Sequence, residues 1–221
     1  MSKTYRTHTT HLAVLAAAVF FLAPAVCADV TPDTTPEPPA TAAPQAVALP
    51  EAPFGLKWLA SRQDVADMGM SLKTPMATDF GDSYVVSHLP KELPDLHYAV
   101  LSFGYNDELI RITAIGTGFE NDEDGNRIKA RYNELDQALQ KKYGAGKPQV
   151  HIDKEYDGNK FEQGLRYKKN WMYTEFFPPD LHIELSVFDD IPRTRWRIIF
   201  EYVPGMARLK HERKQAEDQA L

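Results

Sequence analysis

Two acidic loops, one histidine–carboxylate pair and one set of alternating charged and aromatic residues are where this chain could do chemistry. Glu120-Asn121-Asp122-Glu123-Asp124-Gly125 and Asp153-Lys154-Glu155-Tyr156-Asp157-Gly158 both place carboxylates at alternate positions before a glycine. Such spacing turns oxygens toward one hard cation while the glycine permits the sharp turn, and a calcium loop of the helix–loop–helix kind adds a bidentate acid about six residues later. Arg131 and Gly164 stand at those places. The loops are therefore expected to be acidic turns, the first feeding negative charge to a helix N-terminus.

His182-x-Glu184 would put an imidazole and a carboxylate on one face of a strand. A catalytic zinc needs a third protein ligand, and the remaining histidines beyond the N-terminal segment, His88, His97, His151 and His211, form no HxxxH or HExxH pair. No GxSxG elbow occurs, so nucleophilic catalysis has no local signature. Gly144-Ala145-Gly146-Lys147 follows a helical pattern instead of opening one, so its amides are not arrayed for phosphate. No metal, cofactor or catalytic residue is expected from these motifs.

The third set is different in kind. On period-2 spacing, Trp171, Tyr173 and Glu175 share one face of a strand, His182 and Glu184 one face of the next, and Arg195, Arg197 and Glu201 one face of a third. If the three faces coincide, they form a charged platform with aromatic anchors, and Trp, Tyr and Arg dominate protein interface energies. Two readings stay open: a docking surface for another protein, or a solvated face laced with cross-strand ion pairs.

The elements that must position these residues are legible in the texture of the chain. Ser61 suits an N-cap, with Asp64 in the first turn, Val65 and Met68 as an apolar face and Gly69 as a stop. Phe54 to Trp58 reads as a short strand before it. Strand-like runs follow at Ser83 to His88, Tyr98 to Tyr105 and Leu109 to Phe119, the last two forming a hairpin about Asn106-Asp107-Glu108. In the third run Ile110, Ile112 and Ala114 should face one side, with Arg111 and Thr113 on the other. Ile128, Tyr132, Leu135, Leu139 and Tyr143 make one stripe of a long helix that ends at Gly144. Beyond it come a strand near Gln149 to Ile152, a helical turn around Phe161 to Arg166, and long strands at Trp171 to Phe177, Leu181 to Phe188 and Arg195 to Val203. Short turns between strands imply an antiparallel sheet. The expected fold is α+β, with six to eight strands and two main helices on one face. Both halves run helix, Gly, Pro, then strands, which suggests an α-β-β-β pseudo-repeat.

The segment Phe54-Gly55-Leu56-Lys57-Trp58, continuing through Ser61 and Val65 to Gly69, resembles the start of many uncharacterised exported bacterial domains, which typically read FGLxWG before a short helix. Leu59-Ala60 stands here where those have Gly. The segment is also loosely similar to small outer-membrane-assembly lipoproteins and to β-lactamase-inhibitor proteins. What the resemblance implies is a binding or assembly module, and it carries over no functional residue.

The N-terminal residues point the same way. Met1 to His11 holds Lys3 and Arg6 without an acid, and Leu12 to Leu22 is an unbroken apolar run of 11 residues. A bilayer span needs ~20, so residues 1–28 are expected to be a secretory signal cleaved after Ala28. Cys27 is the one cysteine of the 221 residues, and cleavage there leaves no thiol. The alternative is lipidation of Cys27, though Pro24 and Val26 occupy places where such signals carry Leu and a small residue. Residues 29–53 hold seven prolines among Thr and Ala, the composition of an extended tether. A single domain is expected over 54–204, then a charged, frayed helical tail over 205–221. Losing residues 1–28 moves the net charge from −6 to −8, which argues against a nucleic-acid partner. The expectation is therefore an exported, periplasmic, non-enzymatic module that binds another envelope protein, of inhibitor or immunity type. The alternatives are an envelope hydrolase with dispersed residues, such as His182 and Glu184, and a structural assembly factor.

Overall fold

The structure is a computed structural model, and it describes residues 50–79 and 81–220. The expected signal segment, Cys27 and the tether as far as residue 49 lie outside the described residues.

In chain order the elements are α1 (Arg62–Asp67), β1 (Lys73–Thr78), β2 (Gly81–Val86), β3 (Leu96–Phe103), β4 (Leu109–Gly116), β5 (Phe119–Glu120) and α2 (Asn126–Tyr143). There follow β6 (Lys147–His151), α3 (Phe161–Arg166), β7 (Trp171–Phe176), β8 (Leu181–Asp190), β9 (Arg193–Tyr202) and α4 (Val203–Ala220). Eight strands form one antiparallel sheet in the order β1-β2-β3-β4-β9-β8-β7-β6, and the two-residue β5 pairs with β9 where β4 leaves off. The α+β class and the single antiparallel sheet are as the sequence indicates. Each half is a meander of successive neighbours, and the halves meet where Thr113 of β4 pairs with Ile199 of β9. Each half thus gives the sheet four consecutive strands after a leading helix, one strand more than the sequence pattern suggests, and the second half adds α3 between β6 and β7.

The additional strand is β1. Its Lys, Thr and Pro75 give no alternating apolar signal, yet it pairs with β2 from Lys73 to Thr78. It is one sheet edge, and β6, all five residues of which are exposed, is the other. Both edges carry a lysine and a proline, Lys73 with Pro75 and Lys147 with Pro148, the residues that discourage a further strand from adding.

One face of the sheet is covered by helices. Ile128, Tyr132, Leu135 and Leu139 of α2 are buried as its stripe requires, and Val65 of α1 and Phe161 of α3 enter the same core. Ser61 and Asp64 form a full capping box on α1, and the Ser61 hydroxyl and amide hold the Asp64 carboxyl below its usual range. Asp122 caps α2: its carboxylate accepts the amides of Arg127 and Ile128 at 3.1 and 2.9 Å. The acidic loop considered for calcium thus commits its one buried acid to the helix N-terminus. In the second loop Asp153 accepts from the Glu155 amide at 2.9 Å and Asp157 from the Gly158 amide at 2.7 Å, local turn bonds that point the two carboxylates at their own backbones. Gly116 has no room for a side chain, because a Cβ there would overlap the fully buried Trp196 ring.

Three expectations need correction. Phe54 to Trp58 is not a strand: Pro53–Gly55 forms a 3-10 turn, with Phe54 at φ 61° and Gly55 at φ 80°, and one isolated bridge joins Glu51 to Lys57. Pro53 has no N–H to give a ladder, and two left-handed residues fold the chain back. Ile110 does not share the face of Ile112 and Ala114. A bulge opposite Ser102–Phe103 shifts the register, and Ile110 packs instead against Met206 and Leu209. The helical tail starts before residue 205: α4 begins at Val203, directly after β9, and its first two turns are docked through those apolar residues.

Candidate functional site

The core-side residues of the last three strands are Thr174 and Phe176, then Ile183, Leu185 and Val187, then Trp196, Ile198 and Phe200, all buried. Because side chains alternate along a strand, the intervening residues all point to the other face. Register brings them into rows: His182 lies opposite Glu201, Glu184 opposite Glu175 and Ile199, Ser186 opposite Tyr173 and Arg197, and Phe188 opposite Arg195. Trp171 lies opposite His151 of β6. Trp171, Tyr173, Glu175, His182, Glu184, Arg195, Arg197 and Glu201 therefore share one face, over a length of about 20 Å at the usual rise per residue. That face keeps solvent contact: the side chains of His182, Glu175, Glu184 and Arg197 are 28, 32, 27 and 37% exposed.

Within it the structure builds two separate clusters. The first is a ladder across four strands. Arg111 of β4 stands 3.3 Å from Glu201 of β9, Glu201 lies 3.0 Å from Nδ1 of His182 on β8, and Nε2 of His182 lies 3.3 Å from Glu175 of β7. Phe177 stacks on the His182 ring at 5.1 Å, and the Lys147 ammonium sits 4.9 Å from the centre of Phe177. Burial pulls the Arg111 guanidinium below its usual range against the opposing charge of Glu201. A neutral imidazole has one N–H and can donate to one of its two carboxylates, whereas the imidazolium donates to both. The carboxylates lie on opposite ring edges, so they bridge strands through His182 and do not converge on one ion position.

The second cluster joins Glu184 to Arg197 at 3.0 Å, with Arg197 also donating to Ser186 Oγ at 3.2 Å and lying over the Phe188 ring. His182 and Glu184 thus share a face but serve different partners.

Arg195 has another role. Its guanidinium donates to the carbonyls of Gly116 and Thr117 at 2.8 and 3.0 Å, lies 3.0 Å from Nδ1 of His97, and pairs with Asp190 at 2.6 Å. The residue is 8% exposed. It braces the crossing from β4 to β5 and offers no free charge to a partner. Trp171, by contrast, is 45% exposed and stacks on His151 at 4.1 Å.

Sequence reasoning missed Arg111, Phe177 and Lys147. Arg111 had the signal, since alternation already set it on the polar side of β4, but its place in the ladder depends on pairing with a strand some ninety residues away. The face continues across β2 and β3, where Val85, Tyr98 and Val100 with Lys73, Ser87 and His97 line a shallow depression of about 450 Å³.

Comparison with known proteins adds no assignment. No protein family, no curated protein and no solved structure matches this chain.

Proposed function

We propose that the chain is an exported, non-enzymatic protein-binding module of the bacterial envelope, acting by occupying a surface of its partner, as an inhibitor or immunity protein does. The observation that carries this reading is the shared face of β7, β8 and β9, where exposed Trp171 and half-exposed Tyr173 flank ordered ion pairs. Aromatic anchors beside arginines are what interface centres are made of. The depression formed by Val85, Tyr98 and Val100 supplies apolar area beside the polar ladder. The charges already satisfy one another, so their contribution is register and specificity more than affinity. The edges support docking through the face, because Pro75 and Pro148 oppose strand addition. The apolar segment Leu12–Leu22 behind a basic N-terminus supports export.

The experiment is cross-linking of the purified protein to envelope extract, with mass spectrometry of the adducts. One dominant partner should be captured, and Trp171→Ala or Arg197→Glu should each reduce its capture while Lys142→Glu, on the opposite side of the sheet, leaves it unchanged. Capture that is indifferent to Trp171 and Arg197 sinks this reading of the face.

A further inference from the structure

On the helical side of the sheet, away from the ladder, a groove of about 300 Å³ opens between α2 and the Pro53–Phe54 turn. Its floor is Ile198 and Phe200 of β9, and Leu135 and Leu139 of α2 form one wall. Phe54 meets Phe200 edge-on at 5.6 Å, and Tyr143 lies 6.2 Å from the same ring. Phe54 holds its left-handed φ of 61° because the Lys91 amide donates to its carbonyl at 2.9 Å and the Leu56 amide to Pro53 at 3.2 Å. A bulky aromatic rarely adopts that backbone, and such residues gather where a ligand is clamped. Here the conformation sets an aromatic lip beside the groove.

Two lysines, Lys91 and Lys142, stand at the mouth. Among the described residues neither makes an ion pair, and the Lys142 ammonium lies over the Tyr143 ring at 5.0 Å. Glu92 lines the same groove, but its carboxylate accepts the Leu89 amide at 3.3 Å and faces His88 at 3.8 Å, so it is turned to its own loop. In a chain of net charge −6, an apolar trough with two ammonium groups that lack a carboxylate partner among the described residues selects for one kind of ligand. Small-molecule sites have this character, an apolar lining with few polar groups fixing one end, at volumes from ~300 Å³ upward.

We propose that this groove binds a free single-chain amphiphile with an anionic head, of the fatty-acid class. The tail lies along Phe54, Leu93 and Ala138, over the buried Ile198 and Phe200, and the carboxylate meets Lys91 and Lys142. The inference concerns the face opposite the protein-binding platform and does not depend on that reading.

The test is calorimetric titration of the purified protein with monomeric dodecanoate. Saturable one-to-one binding is expected, about tenfold tighter than for dodecyltrimethylammonium, which has the same tail and the opposite charge. Ala138 is an exposed α2 residue that lines the groove. Ala138→Phe fills the space without entering the core and should weaken dodecanoate about tenfold or more with an unchanged melting curve. Reversing both lysines to Glu should abolish the preference for the anion. Absence of saturation, equal affinity for the cationic amphiphile, or undiminished binding by Ala138→Phe would each overturn the assignment. Sedimentation with phosphatidylglycerol vesicles in the absence of monomer binding would overturn it too, by pointing to a membrane surface.

Discussion

Trp196 of β9 donates its indole N–H to the carboxylate of Asp95, in the connection before β3, at 2.8 Å, and Arg131 of α2 holds the same carboxylate at 2.6 and 2.9 Å. One carboxylate thereby ties the sheet centre, the long helix and a loop together. Desolvation pushes the Asp95 carboxyl up, but the bonds from Arg131 and Trp196 and the charge of Arg131 outweigh it, and the group is held below its ordinary value. A carboxyl depressed by folding contributes stability that is complete above the unfolded value of ~3.9 and is lost as pH falls through the lower folded value. Denaturation midpoints should therefore drop as pH is lowered below about 4. Asp95→Asn should cost about 2 kcal/mol at neutral pH and show a shallower acid slope. An unchanged slope in that variant would assign the acid sensitivity to another group.

The Trp196 ring also sets the limit on its other neighbour. Gly116→Ala would drive a methyl into the indole, which is fully buried and fixed at one end by Asp95. Overpacking of this kind costs about 1–3 kcal/mol. Thermal melts should show the loss, and a variant as stable as the parent would mean that the indole can move aside.

Much of the sheet was legible because its pattern is local. The alternation in Leu181 to Phe188 and in Arg195 to Val203 names both faces of β8 and β9, and the stripe from Ile128 to Leu139 names the buried side of α2. What was not legible depends on partners distant in sequence. The burial side of Ile110 is decided by a bulge against Ser102 and by α4, and the turn at Phe54 by an amide from Lys91. The common face of the eight aromatic and charged residues followed from strand periodicity. Their division into two clusters, and the withdrawal of Arg195 into a brace, follow from register, which the sequence does not display.

That withdrawal separates two arginines two residues apart. Arg195→Met would leave the Gly116 carbonyl without its guanidinium donor and the Thr117 carbonyl with Arg193 alone, a loss of about 1–3 kcal/mol for buried groups. Arg197→Met removes a half-exposed pair with Glu184 and should change stability by no more than about 0.5 kcal/mol. Urea titrations of the two variants decide it. Equal effects would mean that Arg195 is not a brace.

The C-terminal helix should divide in the same manner between docked and surface-held turns. Met206 and Leu209 are buried against Ile110, whereas the residues beyond them reach the body through polar contacts: Asn106 to Glu212 at 2.8 Å and Arg213 to Asp79 at 3.8 Å. Exposed pairs of this type contribute ~0–1 kcal/mol each, so removing residues from 211 onward should lower the melting temperature by no more than about 3 °C. Leu209→Asp places a charge in the apolar contact, where an unpaired carboxylate cannot be solvated. It should cost about 2–3 kcal/mol, or roughly 5–10 °C. The difference between the two variants carries the argument: if truncation alone costs as much as Leu209→Asp, the distal turns hold the sheet end and the apolar contact at Ile110 does not.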